Sequence, residues 1–349
     1  MVGKITMKEM PMDHWIKKIV GCKGDERLSR KSLAEYQLMC LRETIGHAKK
    51  NSPYYGKHYA DVDCSNLISF HGFEKIPFID QMVLKEKGLQ LICVPQNEIR
   101  RIVTLDTSGS SGTPKRVYFT EEDQELTIDF FHHGMRNIID QTDRVLILMP
   151  HERPGSIGDL LAQGIGRLGA QSVKFGFLSD LTDLPKGAKA IEANKITSIV
   201  GTPKQVEKLM NYCKEQENQI KTVLLSAEFV EKKVKDAIEE AWNCSVFEHY
   251  GMTEMGLGGA VSCYILEGYH PRENDLYFEI INPLTLDVLP DGEWGEIVFT
   301  TLTRKAMPFI RYRTGDMGRW LVEPCPCGSV LKRLDRVGDR GIRKNYENW

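Results

Sequence analysis

The sequence predicts an α/β protein: a large N-terminal domain with mostly parallel sheets flanked by helices, plus a small antiparallel β-barrel. Between Arg144 and Tyr250 short apolar runs alternate with amphipathic ones, and from about His270 to Leu321 the pattern turns to short alternating runs broken by turn residues. Length agrees, since 349 residues bury a large core and a prior of about 150 residues per domain gives about two folding units.

Taken in order, Leu38, Leu41, Ile45 and Ala48 recur at steps of 3, 4 and 3, one face of a helix that ends near Asn51-Ser52-Pro53. Thr120, followed by Glu121, Glu122 and Asp123, caps and charges the start of a second helix, which carries Phe130, Phe131, His132 and His133. Strands are read at Val145–Met149, Ser172–Phe175, Ser198–Val200, Thr222–Leu225 and Ser245–Phe247. Among the intervening helical patterns the clearest places Val230, Val234, Ala237, Ile238 and Ala241 on one face. Such alternation implies right-handed crossovers and a mostly parallel sheet covered on both faces. Beyond His270, Asn282-Pro283, Pro290-Asp291-Gly292 and Trp294-Gly295 punctuate antiparallel hairpins or a small barrel.

Composition narrows the function. Lys plus Arg number 46 and Asp plus Glu 48, a net charge of -2, so no basic field exists to hold a nucleic-acid backbone. No run of roughly 18 apolar residues is present, so a soluble, cytoplasmic protein with no membrane partner is expected. The 9 cysteines, an odd number without a signal peptide, argue for reduced thiols or a metal site.

Ligands of open parallel sheets bind outside the carboxyl ends of the strands. The segments just beyond the predicted strands are Pro150-His151-Glu152, Gly201-Thr202-Pro203, Ser226-Ala227-Glu228 and His249-Tyr250-Gly251-Met252-Thr253-Glu254. Their polar, turn-like character points to a common cleft on one rim.

Thr107-Ser108-Gly109-Ser110-Ser111-Gly112-Thr113-Pro114-Lys115 has the make-up of a polyphosphate cradle. Glycines let backbone N–H groups close on an anion, hydroxyls add donors, and Lys115 supplies a compact positive charge. It is not a Walker loop, because Pro114 stands where a glycine followed by lysine and Ser or Thr is required, and it contains no dinucleotide fingerprint.

This loop, Tyr250-Gly251-Met252-Thr253-Glu254 and Tyr312-Arg313-Thr314-Gly315-Asp316 occur in the order of three motifs of the adenylate-forming superfamily, which the chain resembles. Within it, Ser52-Pro53-Tyr54-Tyr55, Thr300-Thr301-Leu302-Thr303, Ala306-Met307-Pro308 and Ile310-Arg311 resemble the phenylacetate-CoA ligase and coenzyme F390 synthetase branch. The resemblance implies AMP-forming activation of a carboxylic acid, aryl or compact, with ATP and Mg2+. Coenzyme A, a carrier or another acceptor protein would then take the acyl group, and a homo-oligomer is compatible with it. It implies that Ser108, Gly109, Ser110, Ser111, Gly112, Thr113 and Lys115 cover the β and γ phosphates. Thr253 touches the α-phosphate and Glu254 holds Mg2+. Ser226, Ala227 and Glu228 line the adenine site, beside His249, Tyr250, Gly251 and Met252. Asp316 accepts from the ribose hydroxyls with Arg336 nearby; an ionised carboxylate suits a vicinal diol because it only accepts. The acid pocket is expected at His151, Pro154, Gly155, Ile157, Glu248 and His249.

The same resemblance divides the chain into an N-terminal helical segment at 1–90, the ATP and acid core at 91–269, the barrel-like part at 270–333 and a hinge remnant at 334–349, without the family's C-terminal lid domain. Two other readings stay open: transfer of AMP to a hydroxyl acceptor, and a nucleotide-binding scaffold without turnover.

A metal site is also expected. Cys325-Pro326-Cys327-Gly328 is a tight thiol pair, and Cys263 is followed 7 residues later by His270. Three thiols and one imidazole make a complete tetrahedral set for structural zinc; the alternative is four unlinked, reduced side chains.

Overall fold

The computed structural model describes residues 10–24, 26–63, 67–105, 114–214 and 217–338. The expected phosphate loop, Ser108 to Thr113, lies outside the described residues, as does the segment after Gly338.

Three helices open the described chain: α1 (Pro11–Val20), α2 (Arg30–Asn51) and α3 (Pro53–His58). Ser29 and Ser32 form a reciprocal capping box at the start of α2, and Ser52 accepts from Tyr55 N to start α3 directly after α2 ends. Short helices α4 (Phe70–Phe73) and α5 (Gln81–Lys87) follow. An antiparallel hairpin, β1 (Arg101–Leu105) and β2 (Lys115–Phe119), pairs Leu105 with Lys115 and so closes the base of the phosphate-loop segment. Helix α6 (Glu121–Met135) starts at Thr120, whose hydroxyl accepts from Asp123 N while Asp123 accepts from Thr120 N.

The central sheet alternates β3 (Arg144–Ile147), α7 (Ile157–Leu168), β4 (Gln171–Lys174), α8 (Leu184–Asn194), β5 (Ser198–Gly201), α9 (Pro203–Tyr212), β6 (Thr222–Leu225), α10 (Lys232–Trp242) and β7 (Ser245–Tyr250). Its order is β4-β3-β5-β6-β7, all parallel, extended antiparallel by β8 (Ala260–Val261) and β9 (His270–Pro271). Successive strand residues face opposite sides. Val145, Ile147, Met149, Val200, Leu224 and Phe247 bury against α1, α6 and α7, whereas Leu146, Leu148, Ile199, Val223, Leu225 and Val246 bury against α8, α9 and α10. Strand β4 is added on one side of β3 and β5 on the other, so the strand order reverses between β3 and β5, the switch point at which such sheets open a ligand crevice.

Two boundary differences bear on the site. His249 and Tyr250 belong to β7 rather than to the following turn, because they pair with Val261 and Ala260. Val230 lies before α10, yet it is buried in the core that this helix covers.

Strands β10 (Leu276–Ile281), β11 (Gly295–Thr301) and β12 (Tyr312–Gly318) form an antiparallel sheet. The described residues do not close it into a barrel, since three strands are too few to curl around a core. Its buried face shares a hydrophobic core with α2 and α3, including Leu41, Ile45, Tyr55, Phe299 and Tyr312.

Candidate active site

The carboxyl ends of β3, β5, β6 and β7 converge on an apolar pocket lined by Phe130, Phe131, Met135, Met149, Leu161 and Leu224, among others, with Ile157 on its rim. Ser226 and His249 are its only polar lining residues among the described residues, and their Oγ and Nδ1 lie 2.9 Å apart. Burial of the ring, reinforced by the Arg272 guanidinium, pushes the His249 imidazole down to about 4, so the ring is neutral at pH 7.

His249 also walls a second, polar cleft, formed by Ala227, Glu228, Phe229, Val230, Glu248, Tyr250, Gly251, Met252, Tyr269, Asp316 and Arg336 through Gly338. Most of the described residues expected around the nucleotide therefore meet here, whereas Ser226 lines the apolar pocket and Lys115, Thr253 and Glu254 lie outside the cleft lining. Asp316 is buried and accepts from the Tyr250 hydroxyl at 3.1 Å. Arg336 donates to Val230 O and lies 3.9 Å from Glu248, with its guanidinium over Phe229. Ala227 holds a φ of 70°, a left-handed conformation rare for a residue with a Cβ, directly after β6. Gly251 has no room for a side chain, since a Cβ there would sit 2.9 Å from both Gly258 Cα and His249 Cε1.

Other expected residues separate. Glu248 lines the polar cleft rather than the apolar pocket, because strand alternation turns it away from Ser226; it accepts from Lys235 at 3.0 Å and Tyr269 at 3.1 Å. His151, Pro154 and Gly155 do not line the apolar pocket. His151 packs beside Gly176, Pro154 is exposed, and Gly155 N donates to Asp159. Phe130 and Phe131 are helical and line the pocket as well, whereas His132 contacts the Gly164 carbonyl and His133 stacks on Trp15. Lys115 and Glu254 engage each other at 3.1 Å, and Tyr312 donates to the same Glu254 oxygen at 3.1 Å.

At the far end of β8 and β9, Cys263, His270, Cys325 and Cys327 are all buried, with ligand atoms within 4.8 Å of one another. Cys263 and Cys325 sulfurs are 3.7 Å apart and Cys327 Sγ is 3.4 Å from His270 Nε2. Tetrahedral zinc with Zn–S bonds of about 2.3 Å spaces its sulfurs by about 3.8 Å, so the donor set fits the ion. The His270 Nδ1–H donates to Lys332 O at 3.1 Å, which directs Nε2 at the cluster.

A family model described as AMP-binding enzyme matches residues 96–303. The chain belongs to the AMP-binding enzyme family. The phenylacetate-coenzyme A ligase of Aromatoleum evansii is 29% identical over 336 residues, covering 90% of this chain and 72% of that protein. The Pseudomonas putida phenylacetate-coenzyme A ligase is 28% identical over 308 residues, covering 85% of this chain and 68% of that one. A solved 2-hydroxyisobutyryl-CoA ligase in complex with 2-HIB-AMP and CoA shares the fold, with a TM-score of 0.80 at 23% identity over 89% of this chain and 70% of that one.

In this AMP-binding domain the turn bearing Thr253 and Glu254 is held by residues that sequence reasoning passed over. Three successive carbonyls each accept from a buried side chain: Glu254 O from Arg304 at 3.0 Å, Met255 O from Arg272, and Gly256 O from Thr127 at 2.8 Å. Gly256 has a φ of +77°, and a Cβ there would sit 2.2 Å from Arg304 Nη2. Asp123 adds a brace by accepting from Lys305 N and Ala306 N at 2.7 and 2.9 Å. Lone arginines and a helical threonine give no local signal; only their meeting on one turn reveals the clamp.

Proposed function

We propose that this AMP-binding enzyme activates a compact or aryl carboxylic acid as its acyl-adenylate and passes the acyl group to coenzyme A. A carboxylate oxygen attacks the α-phosphorus of ATP, the bond to pyrophosphate breaks, and the acyl carbon is then attacked by the thiol sulfur with loss of AMP. The observation that carries the reading is the shared wall: an apolar pocket and a polar cleft meet at His249. An acid in the first and a nucleotide in the second would bring carboxylate and α-phosphate together, and such positioning is a large part of catalysis.

Asp316, fixed by Tyr250, is assigned to the ribose hydroxyls, with Arg336 on the same rim. Glu254 is assigned to Mg2+, whose charge, when bound with ATP, neutralises the phosphates. Its second carboxylate oxygen has no partner among the described residues, and Lys115 and Tyr312 orient the first. Lys115 would exchange Glu254 for phosphate oxygens as ATP enters. Cys263, His270, Cys325 and Cys327 are assigned to one structural zinc, which would tie the loop after β8 to the segment that carries Arg336 into the cleft.

Incubation with ATP, Mg2+ and a panel of small acids, read by mass spectrometry, tests the reading. Acyl-adenylate and acid-dependent pyrophosphate release are expected; a stable AMP ester of a hydroxyl compound in place of the mixed anhydride would reject it.

A further inference from the structure

The geometry points to an acid substrate that carries a hydrogen-bond acceptor on its body, such as a hydroxyl, ether or carbonyl oxygen, read by the Nε2–H of His249. This rests on the proposed function and adds the chemical class of the acid.

Apart from Ser226 and His249, the pocket wall is carbon and sulfur from Phe, Met, Ile, Leu and Val side chains and a glycine. The two polar residues are engaged with each other at 2.9 Å. Ser226 is buried, and its hydroxyl has no other hydrogen-bond acceptor among the described residues. A hydroxyl proton needs an acceptor, so Ser226 donates to Nδ1. In a neutral imidazole the ring proton then sits on Nε2, and burial with Arg272 nearby keeps the ring neutral.

That N–H is buried and without a partner among the described residues. An unsatisfied buried polar group is costly, and such groups persist where a ligand completes them. The surroundings supply no substitute: Nε2 faces Gly258, which lacks a side chain and has no room for one against Phe130. An acid with an acceptor in reach satisfies the N–H, whereas its methyl isostere leaves it bare. Sites built to hydrogen-bond a substrate reject the analogue that lacks the group more strongly than apolar pockets reject a missing methylene.

The test uses hydroxy- and methyl-substituted phenylacetic and benzoic acids, matched at each ring position, with adenylation kcat/KM measured for each pair. We expect at least one hydroxy acid to exceed its methyl isostere by about 10-fold or more. H249L is expected to bring the two members of that pair to equal kcat/KM, whatever its overall rate. S226A, which frees Nδ1 to compete for the ring proton, is expected to weaken it and serves if H249L does not fold. Equal rates within every pair in the native enzyme would overturn the inference. So would an H249L variant that slows both members of a pair equally, because the imidazole would then serve the carboxylate or the fold. No adenylate from any acid would remove the proposed function and this inference together, whereas adenylates formed without discrimination overturn the inference alone.

Discussion

Replacing Thr127 by Val tests the clamp on the Glu254 turn with little change of shape. Thr127 lies on α6 with 1% of its surface exposed, and it donates to Gly256 O at 2.8 Å. That carbonyl has no other partner among the described residues. Valine fills nearly the same volume but leaves the carbonyl unpaired in a dry site, a penalty of about 1–3 kcal/mol. The adjacent Glu254 and Met255 carbonyls keep Arg304 and Arg272, so the turn loosens rather than unfolds. If the whole penalty falls on the productive turn, adenylation slows by about 5- to 150-fold, since about 1.4 kcal/mol is tenfold in rate. Urea unfolding measures the stability change and pyrophosphate exchange the rate. We expect T127V to lose about 1–3 kcal/mol and to lower kcat with the KM for the acid unchanged, and T127S, which keeps the hydroxyl, to recover both. T127V indistinguishable from T127S in both assays would refute the clamp.

Further expectations follow from the same geometry. Y250F removes the 3.1 Å bond to Asp316; hydrogen bonds to charged groups contribute about 1.5–3 kcal/mol, so ATP affinity measured by calorimetry should fall by about 10-fold or more, and unchanged affinity would remove Asp316 from the ribose. Metal analysis of the purified protein should find one zinc per chain, lost in C263S and C327S. A protein with intact thiols and no metal would reject the zinc site. Acid should destabilise the fold through His249, whose native value of about 4 lies below that of an unfolded histidine, about 6.5. As pH falls through this window the unfolded chain takes up a proton that the native chain refuses, so stability present above about 6.5 is lost by about 3 kcal/mol toward pH 4. A variant lacking this one histidine, H249L, should show a flatter unfolding profile between those values, and an equally steep one would contradict the burial.

The central sheet was readable because both of its faces are covered, which writes its strands as short apolar runs between amphipathic helices. His249 and Tyr250 escaped that reading: a polar strand end resembles a turn until β8 is seen to pair with it. The cysteine and histidine cluster assigned to zinc was legible in part from the Cys325-Pro326-Cys327 spacing, although its union with Cys263 spans 62 positions and needs the fold. Phe130 and Phe131 read first as part of a capped helix, with a place in the acid pocket as the lesser reading, because nothing local distinguishes a side chain that fills a core from one that lines a cavity. Arg272 and Arg304 were the least legible. Isolated arginines read as solvated charges, whereas both are almost fully buried and bond to main-chain carbonyls 17 and 50 positions away.

The account stands most directly on adenylate formation. With ATP, Mg2+ and a panel of compact and aryl acids, it predicts an acyl-AMP peak and stoichiometric pyrophosphate that both depend on the acid. ATP bound in the cleft with no acid yielding adenylate or pyrophosphate would contradict it.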